Sequence, residues 1–368
     1  MKKIGVLICD DSALMRMTIK KLIESDRHLY VVGTARDGED AIEKARTLKP
    51  DVITMDINMP GLDGLSALQI IVHEEIAPVI MVSSLTQEGA VTTFEALELG
   101  AFDYVGKPGG TVSSDMSTIA RELLEKIKAA AAYDPKSKLV RKTHTQKRES
   151  KKTIRLKPRK AVRKPSKPSD IDFAAIAIGI STGGPKTIFE VLTYLPADLN
   201  AAIFLVQHMP PNFTSSFAER IDQNTALRCV EANAGMLVEP SNIYLGKGGH
   251  HLTLLKKSNG QIVIRTPTRP KSLFMPSADV MMKAVAGVFG SNTIGVIMTG
   301  MGKDGTEGME KIVEMGGITI AESEESAIVF GMPREVIERG LAQIIAPSWK
   351  IADHLLYLVN GKLAAQLG

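Results

Sequence analysis

The chain has little cysteine, one tryptophan and few aromatics: of its 368 residues two are Cys, one is Trp, and Phe, Trp and Tyr together make 5%. Cys9 and Cys229, each set in an apolar strand-like run, are too few for a disulfide framework or a cysteine metal cluster and read as reduced core residues. That usage fits a reducing compartment. No apolar run reaches the roughly 18 residues a membrane span needs, and Met1-Lys-Lys-IGVLIC is too short to be the apolar part of a secretory signal. The expectation is a cytoplasmic protein with no transmembrane segment. A helix-turn-helix pattern is also missing, which removes the usual support for DNA binding.

Charge is concentrated in one place. Residues 136–167 hold fifteen Lys or Arg against the lone acid Glu149, a local +14 in a chain of formal net charge +4. From 134 to 170 apolar periodicity disappears and Lys, Arg, Pro, Ser and Thr take over. This stretch reads as a basic flexible linker, a solvated tether in preference to a nucleic-acid or membrane arm, because no aromatics are interleaved with its charges. The length suits two domains, placed at 1–133 and 171–368.

Residues 1–133 alternate strand and helix patterns five times, from KIGVLIC to a last helix near Met116–Ala131, which predicts a five-stranded, doubly wound parallel sheet. Asp10 and Asp11 follow the first strand, Asp56 ends the third, Ser83 ends the fourth and Lys107 ends the fifth. Carboxylates crowded at neighbouring strand ends repel one another, and a hard divalent cation with oxygen ligands relieves them, so Mg²⁺ is implied. One carboxylate could then attack a phosphoryl group while Lys107 and the Ser83 hydroxyl hold its oxygens.

The second domain is organised around residues 172–192, DFAAIAIGISTGGPKTIFEVL. The continuously apolar run to Ile180 reads as a strand covered on both faces, and Pro185 opens a helix whose stripe is Ile188, Val191 and Leu192. Gly179-Ile-Ser181-Thr-Gly183 between them fits a nucleophile elbow. The same glycine turn could cradle a phosphate or simply let its serine cap the helix. A nucleophilic serine demands a histidine and a carboxylate to orient it. His208 lies at the end of the next apolar strand, Ala201–Gln207, and Asp304 lies in the glycine loop after the strand Ile294–Met298. Each residue has a bland reading, His208 as a solvated strand end and Asp304 as the cap of the helix that follows it. Three such residues at three strand ends of one parallel sheet make a more specific signal than any of them singly. Residues 226–265 read as a β-hairpin excursion from that sheet, and His250 and His251 as neighbours on a strand facing opposite sides, without a role. MPSADVMMKAVAGVF reads as a helix with a methionine-rich core face.

The segments CDDS, MDINMPGLDG, VSSLT and YVGKP closely resemble the response-regulator receiver family, and GISTGGP, FLVQHMPP and MTGMGKDG resemble the catalytic motifs of the chemotaxis response-regulator methylesterases, with Ile180 where that family has alanine. The resemblance implies a flavodoxin-like receiver followed by a doubly wound, mostly parallel α/β methylesterase domain. In the receiver it implies Asp56 as phosphoryl acceptor; Asp11, Asp56 and the Asn58 carbonyl as Mg²⁺ ligands, with Asp10 helping through water; Tyr104 as a switch; and a cis Lys107–Pro108 bond. In the second domain it implies Ser181, His208 and Asp304 as a triad and no cofactor for ester hydrolysis; the glycine turns offer the Thr182 and Met301 amides as oxyanion donors, and the resemblance favours Met301. The substrate would be methylated glutamates, and certain glutamines, of methyl-accepting chemotaxis receptors. The phosphodonor would be a chemotaxis sensor histidine kinase, and the unphosphorylated receiver would inhibit by docking over the Ser181 edge. The competing readings are a non-catalytic binding output domain and a DNA-binding regulator. Without a recognition helix, the chain should leave duplex DNA unretarded in a gel shift at physiological salt; specific retardation at nanomolar protein would restore the DNA-binding reading.

Overall fold

The computed structural model describes residues 3–84, 86–107, 116–133 and 171–367. The chain divides into two compact units, Met1–Tyr133 and Asp134–Gly368. The basic stretch 134–170 and the Lys107–Pro108 peptide lie outside the described residues.

In the first unit β1 (Ile4–Cys9), β2 (Leu29–Ala35), β3 (Val52–Asp56), β4 (Val79–Ser83) and β5 (Asp103–Gly106) form one sheet in the order β2-β1-β3-β4-β5. Every pairing in it is parallel. The helices are α1 (Ala13–Glu24), α2 (Gly38–Leu48), α3 (Gly64–His73), α4 (Gln87–Leu99) and α5 (Met116–Ala132). β3, β4 and β5 are buried along their whole length, so their sequences lack the apolar–polar alternation of a half-exposed strand. Ser12, Asp37, Asp63 and Thr86 start α1 to α4, each accepting an amide of the first turn on its side chain. The winding reverses between β1 and β3, so the loops that follow them part at that point.

The second unit contains β6 (Ala174–Ile180), α6 (Gly184–Thr187), α7 (Phe189–Leu192), β7 (Ala201–Gln207), α8 (Phe213–Asn224), β8 (Arg228–Glu231), β9 (Asn242–Leu245), β10 (Thr253–Lys256) and β11 (Ile262–Arg265). It continues with α9 (Ala278–Phe289), β12 (Thr293–Ile297), α10 (Thr306–Glu314), β13 (Ile318–Glu322), α11 (Met332–Glu338), β14 (Ile344–Ala346) and α12 (Ser348–Leu367). Seven strands pair in parallel in the order β14-β13-β12-β6-β7-β9-β8. β6 lies at the centre with β7 on one side and β12 on the other, so the reversal falls between β6 and β12.

Three expectations change. The excursion narrows to β10 and β11, an antiparallel hairpin turned at Lys257–Gln261. β8 and β9 instead extend the main sheet in parallel, because the segment between them crosses the hairpin, Leu237 bridging Val263, before it returns. The helix after Ser181 is two short pieces meeting at Ile188, where Thr187 returns its hydroxyl to the Gly183 carbonyl at 3.0 Å, a back-bond that bends helices. His250 and His251 precede β10 in a turn and do not lie on a strand.

The core under β6 and β7 joins Phe204 and Phe289 at 6.0 Å between ring centroids, with Tyr244 stacked on Phe204 at 5.7 Å. Met281 and Met282 of α9 are fully buried against it, as the methionine face predicts. Phe204→Ala should cost about 3–5 kcal/mol of stability in urea unfolding followed by far-UV circular dichroism. A loss below about 1 kcal/mol would mean that this cluster is not the packed centre of the unit.

Candidate active site and phosphoacceptor site

Ser181 follows β6 directly, and its environment explains the local glycines. Gly183 has φ +76°, a left-handed value that lets the chain turn immediately after the serine. Gly300, in the loop after β12, lies so close that a Cβ there would stand 2.8 Å from Ser181 Cβ. The elbow is pinned on three sides. Ser181 N–H donates to the Thr299 carbonyl at 2.9 Å, and the Ser181 carbonyl accepts from Gly184 N–H at 2.8 Å and from Gln207 Nε2 at 2.9 Å.

His208 follows β7, and its two ring nitrogens face different partners. Nδ1 accepts from the Ser181 hydroxyl at 3.1 Å, and Nε2–H donates to Asp304 Oδ2 at 2.7 Å. The three residues from three loops thus form one hydrogen-bonded chain, with the carboxylate on Nε2 and the serine on Nδ1.

Asp304 accepts more than the imidazole. Ser277 Oγ and Asp279 N–H donate to Oδ1 at 2.8 and 3.1 Å, and Ala278 N–H donates to Oδ2 at 2.7 Å. These groups are the N-terminus of α9, so Asp304 caps that helix and not α10, which starts from Gly305 without a side-chain cap. Burial alone would raise the Asp304 carboxyl, but the His208 hydrogen bond and charge, with the Asp279 amide and the Ser277 hydroxyl, outweigh it and hold the group well below the usual carboxylate range. Asp279 completes the exchange of caps by accepting Gly308 N–H of α10 at 2.8 Å. Its carboxyl is pushed up to about 6 by burial and then by the nearby Asp304 charge, against the Gly308 bond.

The expected oxyanion donors lie at this edge. Thr182 is the residue after Ser181, and Met301 follows the glycine that abuts Ser181. Among the described residues neither amide donates to a protein acceptor.

At the corresponding edge of the first unit, one ligand atom each from Asp10, Asp11 and Asp56 lie within 4.8 Å of one another. Lys107 Nζ donates to Asp56 Oδ2 at 2.7 Å and stands 3.5 Å from Asp10 Oδ2. Burial raises the Asp10 and Asp56 carboxyls despite Lys107. Burial also opposes the Lys107 ammonium, but Asp56 and Asp10 hold it above its ordinary value. Asp10 Oδ2 is buried and has no hydrogen-bond partner among the described residues. A cluster of hard oxygens with one atom left unsatisfied fits a small divalent cation. Asn58 is exposed beside it, its N–H 3.4 Å from Asp56 Oδ1. The Ser83 hydroxyl is directed toward α4, accepting from Thr93 Oγ1 at 2.8 Å and donating to the Gly89 carbonyl at 3.2 Å. Tyr104 is buried, with Lys126 Nζ 5.0 Å above its ring.

Ser277, Phe274 and His251 also belong to the second unit's site and escaped the sequence reading. The Ser-Ala-Asp start of α9 was a readable helix cap, but nothing local connects it with Asp304, 25 residues beyond Asp279. His251, read as without a role, belongs to the packed interior. It is fully buried and hydrogen-bonded through both ring nitrogens.

A receiver-like phosphoacceptor sheet followed by an α/β unit with a linked serine, histidine and aspartate defines a class of response regulators with a hydrolase-like output. Residues 176–355 match the CheB methylesterase family, and residues 6–113 match the response regulator receiver domain. A protein-glutamate methylesterase/protein-glutamine glutaminase of Syntrophomonas wolfei is 54% identical over 97% of this chain and 99% of its own. One from Thermotoga maritima is 43% identical over 97% of this chain and 98% of its own. The crystal structure of the Thermotoga maritima CheB methylesterase catalytic domain superposes with a TM-score of 0.50 at 41% identity, covering 51% of this chain and 99% of that one. The chain belongs to the receiver-linked CheB methylesterase family.

The Asp279 environment gives a pH dependence. Its folded value lies above the ordinary 3.8, so the stability it contributes is present below that value and is lost as pH rises through about 6. Asp279→Asn keeps an acceptor for Gly308 without the charge. Calorimetry should find its melting temperature close to wild type near about pH 4 and above wild type near about pH 7.5. A gap that does not change between those conditions would refute the assignment.

Proposed function

We propose that this protein is a phosphorylation-regulated serine hydrolase that cleaves glutamate γ-methyl esters on methyl-accepting chemotaxis receptors, with release of methanol, in the cytoplasm. The observation that carries this reading is the continuous hydrogen-bonded chain from Ser181 through His208 to Asp304, in a chain whose relatives are named methylesterases.

In this mechanism Ser181 Oγ attacks the ester carbonyl as its proton passes to His208 Nδ1. Asp304 fixes the tautomer, since a carboxylate held ionised can only accept, which leaves the proton on Nε2 and the lone pair on Nδ1 toward the serine. The Thr182 and Met301 amides stabilise the oxyanion, worth about 3 kcal/mol per donor. The imidazolium returns its proton to departing methoxide, and water then frees the glutamate by the reverse sequence. With a receptor glutamine the same acyl-enzyme forms and ammonia leaves.

Regulation resides in residues 1–133, joined by the basic linker 134–170 to the catalytic residues 171–368. Asp56 is the phosphoryl acceptor, supplied by a chemotaxis sensor histidine kinase. Asp10, Asp11, Asp56 and the Asn58 carbonyl would hold Mg²⁺, which supplies charge neutralisation for the crowded carboxylates and the incoming phosphoryl group. Lys107, already on Asp56, and the Ser83 hydroxyl would hold phosphoryl oxygens, with Tyr104 as the switch.

In a methanol-release assay on a methylated cytoplasmic receptor fragment, a small acyl phosphate should raise turnover, and Asp56→Asn should remove that response. Ser181→Ala should reduce release by about 10⁴-fold or more while Asp56 remains phosphorylated. Methanol release that survives in Ser181→Ala would discard the reading.

A further inference from the structure

The turn before β10 grips the segment that leads into α9. His251 is fully buried, and its ring nitrogens serve in opposite senses: Nε2–H donates to the Pro270 carbonyl at 2.7 Å, and Nδ1 accepts Ser277 N–H at 3.3 Å. The His251 N–H also donates to the Pro267 carbonyl at 2.8 Å, and Gly249 N–H donates to the Met275 carbonyl at 2.9 Å. Four hydrogen bonds thus hold residues 267–277 in one shape.

That segment delivers two side chains to the serine site. Ser277 reaches Asp304. Phe274 lies flat on the His208 ring, with centroids 4.0 Å apart and planes 5° from parallel. The hydrogen-bonding directions of an imidazole lie in its plane, so both ring nitrogens stay on Ser181 and Asp304 while Phe274 covers one face. Phe274 is only partly buried, and its neighbour Leu273 is 52% exposed. Filling the core therefore does not account for the ring. An aromatic face attracts a cation, and the ring it covers is the one that becomes cationic when it accepts the serine proton.

Resting on the reading of Ser181, His208 and Asp304 as a hydrolytic triad, we propose that Phe274, held in place by His251, is a positioning residue whose π-face stabilises His208 while it carries the proton taken from Ser181. The bonds are those of the ester reaction. The Ser181 Oγ–carbon bond forms, the proton resides on Nδ1 under Phe274, and it leaves on methoxide as the carbon–methoxide bond breaks.

The test uses the full chain with a small acyl phosphate and a methylated receptor fragment. Phe274→Ala should lower kcat about 3- to 30-fold and leave KM within about twofold. Phe274→Tyr should restore most of the loss, and Phe274→Leu, which covers the ring without a π-face, should not. His251→Gln, whose amide can keep the Pro270 bond but places no acceptor at the Nδ1 position that faces Ser277, should lower kcat similarly and add little to Phe274→Ala in the double variant. An unchanged kcat in Phe274→Ala, a loss confined to KM, rescue by leucine equal to that by tyrosine, or full additivity with His251→Gln would each overturn the proposal. Fluorophosphonate labelling separates the two readings. A wild-type protein that neither labels at Ser181 nor releases methanol would sink the triad itself, whereas a labelled, active wild type with an indifferent Phe274→Ala would sink only the role of Phe274.

Discussion

A parallel sheet sends the carboxyl end of every strand to one edge, and where the winding reverses the two central loops leave in opposite directions and open a crevice between them. This constraint acts twice in the chain. In the first unit the reversal between β1 and β3 sets Asp10 and Asp11 beside Asp56. In the second the reversal between β6 and β12 sets Ser181 beside the Gly300 loop, and β7, the other neighbour of β6, supplies His208. Chemistry-bearing residues far apart in sequence meet because of strand order, before any side-chain contact is considered.

The two edges treat buried carboxylates in opposite ways. Asp304 receives donors from an imidazole, a hydroxyl and the amides that begin α9, so it stays ionised in spite of burial. Asp10 and Asp56 have burial, a neighbouring carboxylate's charge (Asp11 on Asp10, Asp10 on Asp56), one shared lysine and a single backbone amide each, and their carboxyls rise. A carboxylate that must hold a histidine tautomer needs the first environment. Carboxylates that take a cation and a phosphoryl group fit the second, where the protein leaves part of the charge for a ligand to balance.

The members of the proposed triad were legible because each carries a local signal: a G-x-S-x-G turn, a histidine ending an apolar strand and an aspartate in a glycine loop. The residues around them were not. Ser277 and His251 lie in segments that read as a methionine-faced helix and a strand, and Phe274 falls just before that helix, where no pattern points to a role. Their meaning comes from contacts with residues distant in the chain, as when Ser277 meets Asp304 and Phe274 meets His208. The bland reading of Asp304 as a cap was correct in kind, but the helix it caps is α9, which precedes it in sequence.

By itself the sequence determined the alternation of strands and helices, the parallel character of both sheets and the residues at their carboxyl edges, because continuous apolar runs, glycine turns and helix caps are local properties of the chain. Only the tertiary structure decided which nitrogen of His208 faces which partner, which helix Asp304 caps, that β8 and β9 run parallel beside β7, and that an aromatic ring lies on the imidazole. Those outcomes depend on strand order and on side chains meeting across long stretches of chain, and no spacing within the sequence encodes either one.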